Sequence, residues 1–155
     1  MKSIIVFMVF LTAPYSLFSQ PYNTAIGVRF GPLYGITMKK SLNEKHSLEG
    51  ILSFPWKGFV INGLYEYNFD IPNADNFRWY AGFGGHVGVF NSVSSKNNYS
   101  NSSGVVLGVD GIIGIEHTMA NYPLNFSLDF KPVINIINSN STNINEWALS
   151  ARYAF

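Results

Sequence analysis

The sequence has no cysteine, which excludes disulfide bonds, thiol catalysis, cysteine metal ligands and a lipoprotein anchor. Charged residues are also scarce. They make up 12% of the 155 residues, about half the share found in soluble globular proteins. The formal net charge of +1 provides no basic field, so we expect no nucleic-acid partner. Hydrophobic residues make up 47% of the chain and aromatic residues 16%, a composition poorly suited to a soluble surface.

The N-terminus has the pattern of a secretory signal peptide. Lys2 precedes an unbroken apolar run at residues 4–11, and Ser19 offers a small residue for cleavage. The run is too short to span a bilayer as a helix, and a short membrane anchor is the alternative interpretation. We therefore predict a cleaved signal peptide at residues 1–19 and a single domain at residues 20–155.

Beyond the N-terminus, apolar and polar side chains alternate with the two-residue period of β-strands. In residues 124–136, for example, Phe126 and Leu128 alternate with Ser127 and Asp129. No amphipathic pattern of helical length interrupts this alternation. The segments are roughly ten residues long, as transmembrane β-strands must be to cross the hydrocarbon. Eight are present, covering residues 23–31, 35–42, 47–56, 59–69, 79–90, 105–116, 124–136 and 147–155.

The polar faces of these segments carry charges of both signs. Four are basic and five acidic, and this near-balance suits a narrow barrel interior in which charges must pair. A soluble barrel could use the same alternation with its apolar face inward. Lys40 is out of phase, as expected where the second segment leaves the bilayer. His86 also lies on a polar face and is added to these nine charges. The residues assigned to this lumen charge network are Arg29, Lys39, Glu49, Glu66, His86, Asp110, Glu116, Asp129, Lys131 and Arg152.

Aromatic residues gather at the ends of the segments. Tyr67, Trp79 and Tyr153 fall at one end, while Tyr34 and Trp147 fall at the other. An ordinary aromatic core would not confine these side chains to strand ends. Two girdles of this kind are typical of outer-membrane barrels, whose aromatic rings lie at both membrane interfaces.

The last nine residues, 147–155, form the clearest strand. Leu149, Tyr153 and Phe155 share its apolar face, and the chain ends on Phe with Tyr two residues earlier. This pattern resembles the C-terminal signal by which the outer-membrane assembly machinery recognises its barrels. The resemblance implies that Leu149, Tyr153 and Phe155 form an assembly signal and that this machinery is a partner during insertion.

Residues 20–155 as a whole resemble the small eight-stranded outer-membrane barrels of the OmpX and OmpA-transmembrane-domain type. The resemblance implies an all-β fold, an eight-stranded antiparallel up-and-down transmembrane β-barrel, monomeric and surrounded by outer-membrane lipid. An even strand number places both termini at the periplasmic end. The long Asn/Ser-rich segments 91–104 and 138–145 then become outer loops. The sequence has no peptidoglycan-binding domain of the OmpA kind, and its first two outer loops are shorter than those of adhesive members.

His86 and Asp110 are the best candidates for chemistry. Both are assigned inward on neighbouring segments, and a His–Asp pair could act with a serine, as in the outer-membrane acyltransferases and lipid A deacylases. No serine in a definable motif accompanies His86, so an interior hydrogen-bonding pair is the favoured interpretation. No close cluster of histidines or carboxylates predicts a metal site. The glycines at 82–88 alternate within a strand, which is not a phosphate loop, and no cofactor is expected.

We therefore expect an integral outer-membrane barrel that is not an enzyme, with a structural or surface-interaction role and a plugged, non-conducting lumen. Two alternatives stay open. One is a lipid-modifying enzyme of the acyltransferase or lipid A deacylase type. The other is a soluble secreted β-barrel that binds a lipophilic ligand.

Overall fold

Nine β-strands form the regular structure of the residues that the computed structural model describes, which are 23–55, 58–92, 102–137 and 145–155. Within these ranges no helix is long and apolar enough to cross a membrane. The predicted signal peptide lies outside the described residues, so it stays a prediction. The strands are β1 (Thr24–Phe30), β2 (Gly35–Ser41), β3 (His46–Ser53), β4 (Gly58–Asp70), β5 (Phe77–Ser92), β6 (Ser102–Thr118), β7 (Leu124–Lys131), β8 (Val133–Ile137) and β9 (Glu146–Ala154).

The strands close into an antiparallel barrel. From β1 to β7 each strand pairs with the next along the chain, β7 pairs with β9, and β9 pairs back with β1. Strands β7 and β8 occupy one position in the wall, since both pair with β6. The predicted segment 124–136 is therefore divided in two at Pro132, which has no N–H to continue the ladder. With that one division, the predicted eight-stranded antiparallel barrel is confirmed.

The register around the wall sets the width of the barrel. Arg29 aligns with Val106 when the pairing is followed through β2 to β6. Followed the other way, through β9 and β7, it aligns with Glu116 on the same strand. This stagger of ten residues, from 106 to 116, inclines eight strands by about 40° to the barrel axis. A barrel of these dimensions has a lumen that side chains can just fill.

The two faces of the wall are inverted relative to a soluble barrel. The outer face presents large apolar side chains, such as Ile26, Leu107 and Leu128, while the interior holds nearly all the buried charges. This arrangement matches a wall surrounded by lipid. Exposed aromatic side chains lie at both ends of the wall: Tyr67, Phe69, Trp79, Tyr153 and Phe155 at the end that carries Thr24, and Tyr34, Phe54, Phe59 and Trp147 at the other.

Inward-facing glycines make room for the larger interior side chains. A Cβ on Gly114 would lie 2.6 Å from Cζ of Tyr80 and 2.7 Å from Cβ of Asp129. A Cβ on Gly108 would lie 2.6 Å from Cε1 of His86. These separations are too short for any real side chain, so the glycines are needed for the interior to fit.

Candidate functional site

The interior of the barrel is the candidate site, because the structure places there every residue assigned to the lumen charge network. His86, at 6% exposure, is the most accessible of the ten, and the others are buried at 3% or less. Six carboxylates are buried among the described residues, and each contacts a basic side chain. The pairs are Glu49 with Arg152, Glu66 with Lys39, Asp110 with His86, Glu116 with both Lys39 and Arg78, Asp129 with Arg29, and Glu146 with Lys131.

Lys39 connects three sides of the barrel near the end that carries Thr24. Its Nζ lies 2.8 Å from Oε2 of Glu66 on β4 and 3.0 Å from Oε2 of Glu116 on β6. The same nitrogen lies 4.0 Å from the centre of the Tyr80 ring, over its face. At the mouth of the barrel Arg78 contacts Oε1 of Glu116 at 3.2 Å. One lysine from β2 thus bridges carboxylates of two other strands, β4 and β6.

Arg152 forms the second set of contacts. Its guanidinium is paired with the carboxylate of Glu49 on β3, and the hydroxyl of Thr37 donates to the same carboxylate. Arg152 also donates to Oγ of Ser127 at 2.8 Å and to Oδ1 of Asn125 at 3.1 Å. Its donors are therefore distributed over several strands, as suits a planar guanidinium with five N–H groups.

Arg29 and Asp129 form a bidentate pair further along the lumen. Two guanidinium nitrogens donate to the two carboxylate oxygens at 2.8 and 2.5 Å. The hydroxyl of Tyr80 donates to the same carboxylate at 3.1 Å. Beside this pair lies a buried apolar layer formed by Ile51, Leu64, Tyr80 and Ile112. On β3, β4 and β6 this layer lies between Glu49, Glu66 and Glu116 on one side and Ser53, Asn62 and Asp110 on the side nearer the outer turns.

His86 lies on the other side of that apolar layer. Its Nδ1 is 2.7 Å from Oδ1 of Asp110, and its Nε2 is 2.9 Å from Oδ1 of Asn135. The second oxygen of Asp110 accepts a hydrogen bond of 2.7 Å from Nδ2 of Asn62. We call these four residues the His86 cluster. A carboxylate on Nδ1 orients the ring as in hydrolytic His–Asp pairs. Among the described residues, however, the polar contacts of the ring are to Asp110 and Asn135, and neither residue supplies a hydroxyl group.

Two interior charges were missed in the sequence. Glu146 pairs with Lys131 at 3.3 Å across the β7–β9 ladder. In the sequence it lies between the Asn/Ser-rich segment 138–145 and the predicted strand 147–155. Arg78 lies in the predicted connection between segments 59–69 and 79–90, whereas in the structure β5 already begins at Phe77. The signal that could have found both is the alternation itself, because Glu146 is in phase with Ala148 and Arg78 is in phase with Tyr80.

The predicted assembly signal lies on the outer face. Leu149, Tyr153 and Phe155 are exposed, and Phe155 exchanges backbone hydrogen bonds of 2.8 and 3.0 Å with Thr24. The end of the chain therefore closes the barrel against its first strand. No observation bears on recognition by the assembly machinery, which stays a prediction.

No protein-family model matches the sequence, and no curated protein matches it. Among solved structures, that of the outer membrane enzyme PagL is similar, with a TM-score of 0.48 and 13% sequence identity. The similarity covers 84% of this chain and 99% of that one. The expectation that the protein is not an enzyme is wrong as a conclusion from its fold, since a similar barrel is an enzyme. The chain is a small eight-stranded β-barrel of the outer-membrane type.

Proposed function

We propose that the protein is an integral barrel of the outer membrane whose lumen is closed to ions and solutes, and that it acts through its outer loops and its lipid-facing wall. The proposal rests on one observation, that the interior charges pair across the lumen instead of lining a pore. Arg29 reaches from β1 to β7, Lys39 from β2 to β6, and Arg152 from β9 to β3. The proposed partners are outer-membrane lipid and the assembly machinery, and we expect the barrel to be monomeric.

The pairing supports a closed lumen on energetic grounds. A water-filled channel would leave these ions hydrated, whereas here both members of each pair are nearly inaccessible. Buried ions are tolerated only with good geometry and further hydrogen bonds. The Arg29–Asp129 pair is bidentate and its carboxylate accepts a further hydrogen bond from Tyr80, while Arg152 donates further hydrogen bonds to Asn125 and Ser127. The apolar side chains around Ile51 and Leu64, on the β3 to β6 side of the lumen, add a surface at which an ion would lose part of its hydration.

Planar-bilayer recording with the refolded protein tests the closed lumen. We expect no discrete conductance steps from the wild-type barrel. Arg152→Ala and Glu66→Gln disrupt the pairing, and openings seen in these variants alone would agree with a plug formed by paired charges. Reproducible steps from the wild-type protein, changed in size by either substitution, would instead demonstrate a water-filled pore.

The proposed orientation puts both termini in the periplasm. It is supported by the even number of wall positions and by the two long Asn/Ser-rich segments, which both join strands at the opposite end from Thr24. Because the chain has no cysteine, single cysteines can report the topology. A membrane-impermeant thiol reagent applied to intact cells should label a cysteine at Pro32 and leave one at Asp75 unlabelled. The reverse pattern would refute the orientation.

A second candidate function is the modification of a membrane lipid at the His86 cluster. The observation that favours it is the His86–Asp110 contact, since an imidazole that donates from Nδ1 to a carboxylate can accept a proton at Nε2. The amide oxygen of Asn135 lies at that nitrogen and accepts a hydrogen bond, so Nε2 would act as a base only after this amide had turned or moved away. An enzyme of this kind would need a hydroxyl or water to approach Nε2 from the outer end of the lumen.

Mass spectrometry of extracted lipid tests this candidate. Cells that produce the wild-type protein should contain a lipid A species that is lost with His86→Asn and kept with His117→Asn. The second variant is a control, because His117 packs against Phe77 on the outer wall, with ring centres 4.2 Å apart. Identical lipid profiles in all three strains would remove this candidate and leave the closed barrel unaffected.

A further inference from the structure

Lys40 is an exception on the outer wall. Among the strand residues that the structure describes, it is the one lysine, arginine or carboxylate whose phase in the alternation faces outward, since the exposed Asp70 at the end of β4 is in phase with the buried Glu66 and Asn68. It continues the outward row of Ile36 and Met38 on β2, and it is exposed as they are. In the hydrocarbon a lysine on this face is destabilising, and the cost falls to almost nothing at the membrane interface. Lys40 is the second-last residue of β2, so its side chain can reach the interface.

The neighbours of Lys40 on the outer face are polar and aromatic. Lys40 is paired with Leu48 on β3, and His46 lies two residues before Leu48 on the same face, at the diagonal position that long side chains can reach. His46 is paired with Tyr67 on β4, and Leu48 is paired with Tyr65. Four outward-facing residues with polar groups, Lys40, His46, Tyr65 and Tyr67, are thus adjacent on three strands. We call them the Lys40 patch.

His46 is held in this patch and is not the freely solvated residue that a charged turn suggests. Its Nδ1 is 2.9 Å from the hydroxyl of Tyr65. The ring of Tyr67 meets the imidazole edge-on, with centres 4.9 Å apart, and the Tyr65 and Tyr67 rings are 5.3 Å apart in a similar arrangement. The imidazole is therefore fixed by two tyrosines at the level of the aromatic girdle.

From this placement we infer that the Lys40 patch binds the phosphate of a glycerophospholipid in the leaflet at the end of the barrel that carries Thr24. An ammonium group, an imidazole and phenolic hydroxyls are donors that suit a phosphate. The aromatic rings and Leu48 would lie beside the upper acyl chains, as aromatic girdles do. In the adjoining turn Glu44 and Lys45 are both exposed, and their charges cancel, so Lys40 supplies the net positive charge. The inference assumes only that the barrel is embedded in a membrane.

Native mass spectrometry of the detergent-solubilised barrel, titrated with phosphatidylglycerol, tests the site. A lysine near a membrane surface contributes enough to anionic-lipid binding that its loss should weaken the first binding event about five-fold. We therefore expect about a five-fold weaker first event with Lys40→Gln, and wild-type binding with Lys40→Arg. Tyr65→Phe, which removes the hydroxyl that holds His46, should also weaken binding. Lys45→Gln removes the same charge from the turn and should have little effect.

A diacylglycerol with the same acyl chains provides a test on the wild-type protein that needs no variant. It should bind more weakly than phosphatidylglycerol, because it has no phosphate. Equal binding of the two lipids would show that only acyl chains are recognised and would overturn the inference. Equal losses from Lys40→Gln and Lys45→Gln would show unspecific attraction and would also overturn it. Neither result bears on the proposal that the lumen is closed. The gel mobility of unboiled protein shows whether each variant is folded.

Discussion

Removing one carboxylate, Asp129→Ala, tests whether the paired interior charges stabilise the barrel as a unit. Asp129 and Arg29 are each 1% exposed, and two hydrogen bonds of 2.5 and 2.8 Å join them. Breaking a buried pair from one side leaves an uncompensated charge, at a cost of about 3 to 5 kcal/mol. The hydroxyl of Tyr80 also loses its acceptor, which costs about 1 to 3 kcal/mol by itself. Because the two effects share one cluster, we expect a total of about 4 to 6 kcal/mol.

The double variant Arg29→Met with Asp129→Leu separates the pair from the charges themselves. It removes both ions and replaces them with apolar side chains of related size. Replacements of this kind are often neutral, or stabilising by about 1 to 4 kcal/mol. We therefore expect the double variant to be considerably more stable than Asp129→Ala. The difference would show that the loss of stability in Asp129→Ala comes from leaving the Arg29 charge unpaired, and not from the absence of the ion pair itself.

Urea unfolding in lipid vesicles measures these differences, with tryptophan fluorescence and the gel mobility of unboiled protein as two probes. Asp75→Ala is the matched control, because Asp75 is an exposed carboxylate in a turn and its loss should change stability by no more than about 0.5 kcal/mol. A loss below about 1 kcal/mol for Asp129→Ala would refute the reasoning, as would a double variant that is no more stable than the single one.

Three further predictions concern the wall, the interior space and the chain end. Leu128→Arg places a charge on the lipid face and should cost about 2 to 4 kcal/mol in the same unfolding assay, whereas Leu42→Arg, in the turn after β2, should cost about 0 to 1. Similar costs would mean that Leu128 does not face the hydrocarbon. Gly114→Val should cost about 1 to 3 kcal/mol, because the new side chain would crowd the buried ring of Tyr80. Gly63→Val should be nearly neutral, because a Cβ there would meet nothing within 4 Å. Equal losses of stability in the two variants would contradict the packing argument. Deleting Phe155 should reduce the amount of barrel in the outer membrane of cells, and unchanged levels on a blot would argue against a terminal assembly signal.

The faces of the strands could be predicted from sequence because the side-chain period of a strand is two, whatever the strand pairs with. Glu49 and Glu66, for example, had to face inward once Leu48 and Tyr65 faced outward. Their partners could not be predicted in the same way. Lys39 meets Glu66 and Glu116 because a ten-residue stagger brings those positions to one level, and the alternation within a strand carries no information about stagger.

The strand ends were harder to predict, because turn composition and ladder pairing compete there. The Asn- and Ser-rich segment 91–104 was predicted as a loop, yet β5 extends to Ser92 and β6 begins at Ser102. Backbone pairing between two long strands continues there regardless of side-chain polarity. Pro132 has the opposite effect, since it divides a segment whose alternation continues on both sides.

Ile51 looked like a defect in the alternation, because it is an apolar residue on a polar face. In the barrel it contributes to the layer with Leu64, Tyr80 and Ile112, between Glu49 and Glu66 on one side and the His86 cluster on the other. These side chains come from β3 to β6, and the Arg29–Asp129 pair of β1 and β7 lies beside them, so this part of the lumen holds apolar side chains and a buried ion pair. If the lumen is closed as proposed, chemistry at the His86 cluster would be reached from the outer end, and a closed lumen and a reactive outer mouth are compatible in one barrel. The recording and lipid-analysis experiments consequently test independent properties, and a positive lipid result would not weaken the case for closure.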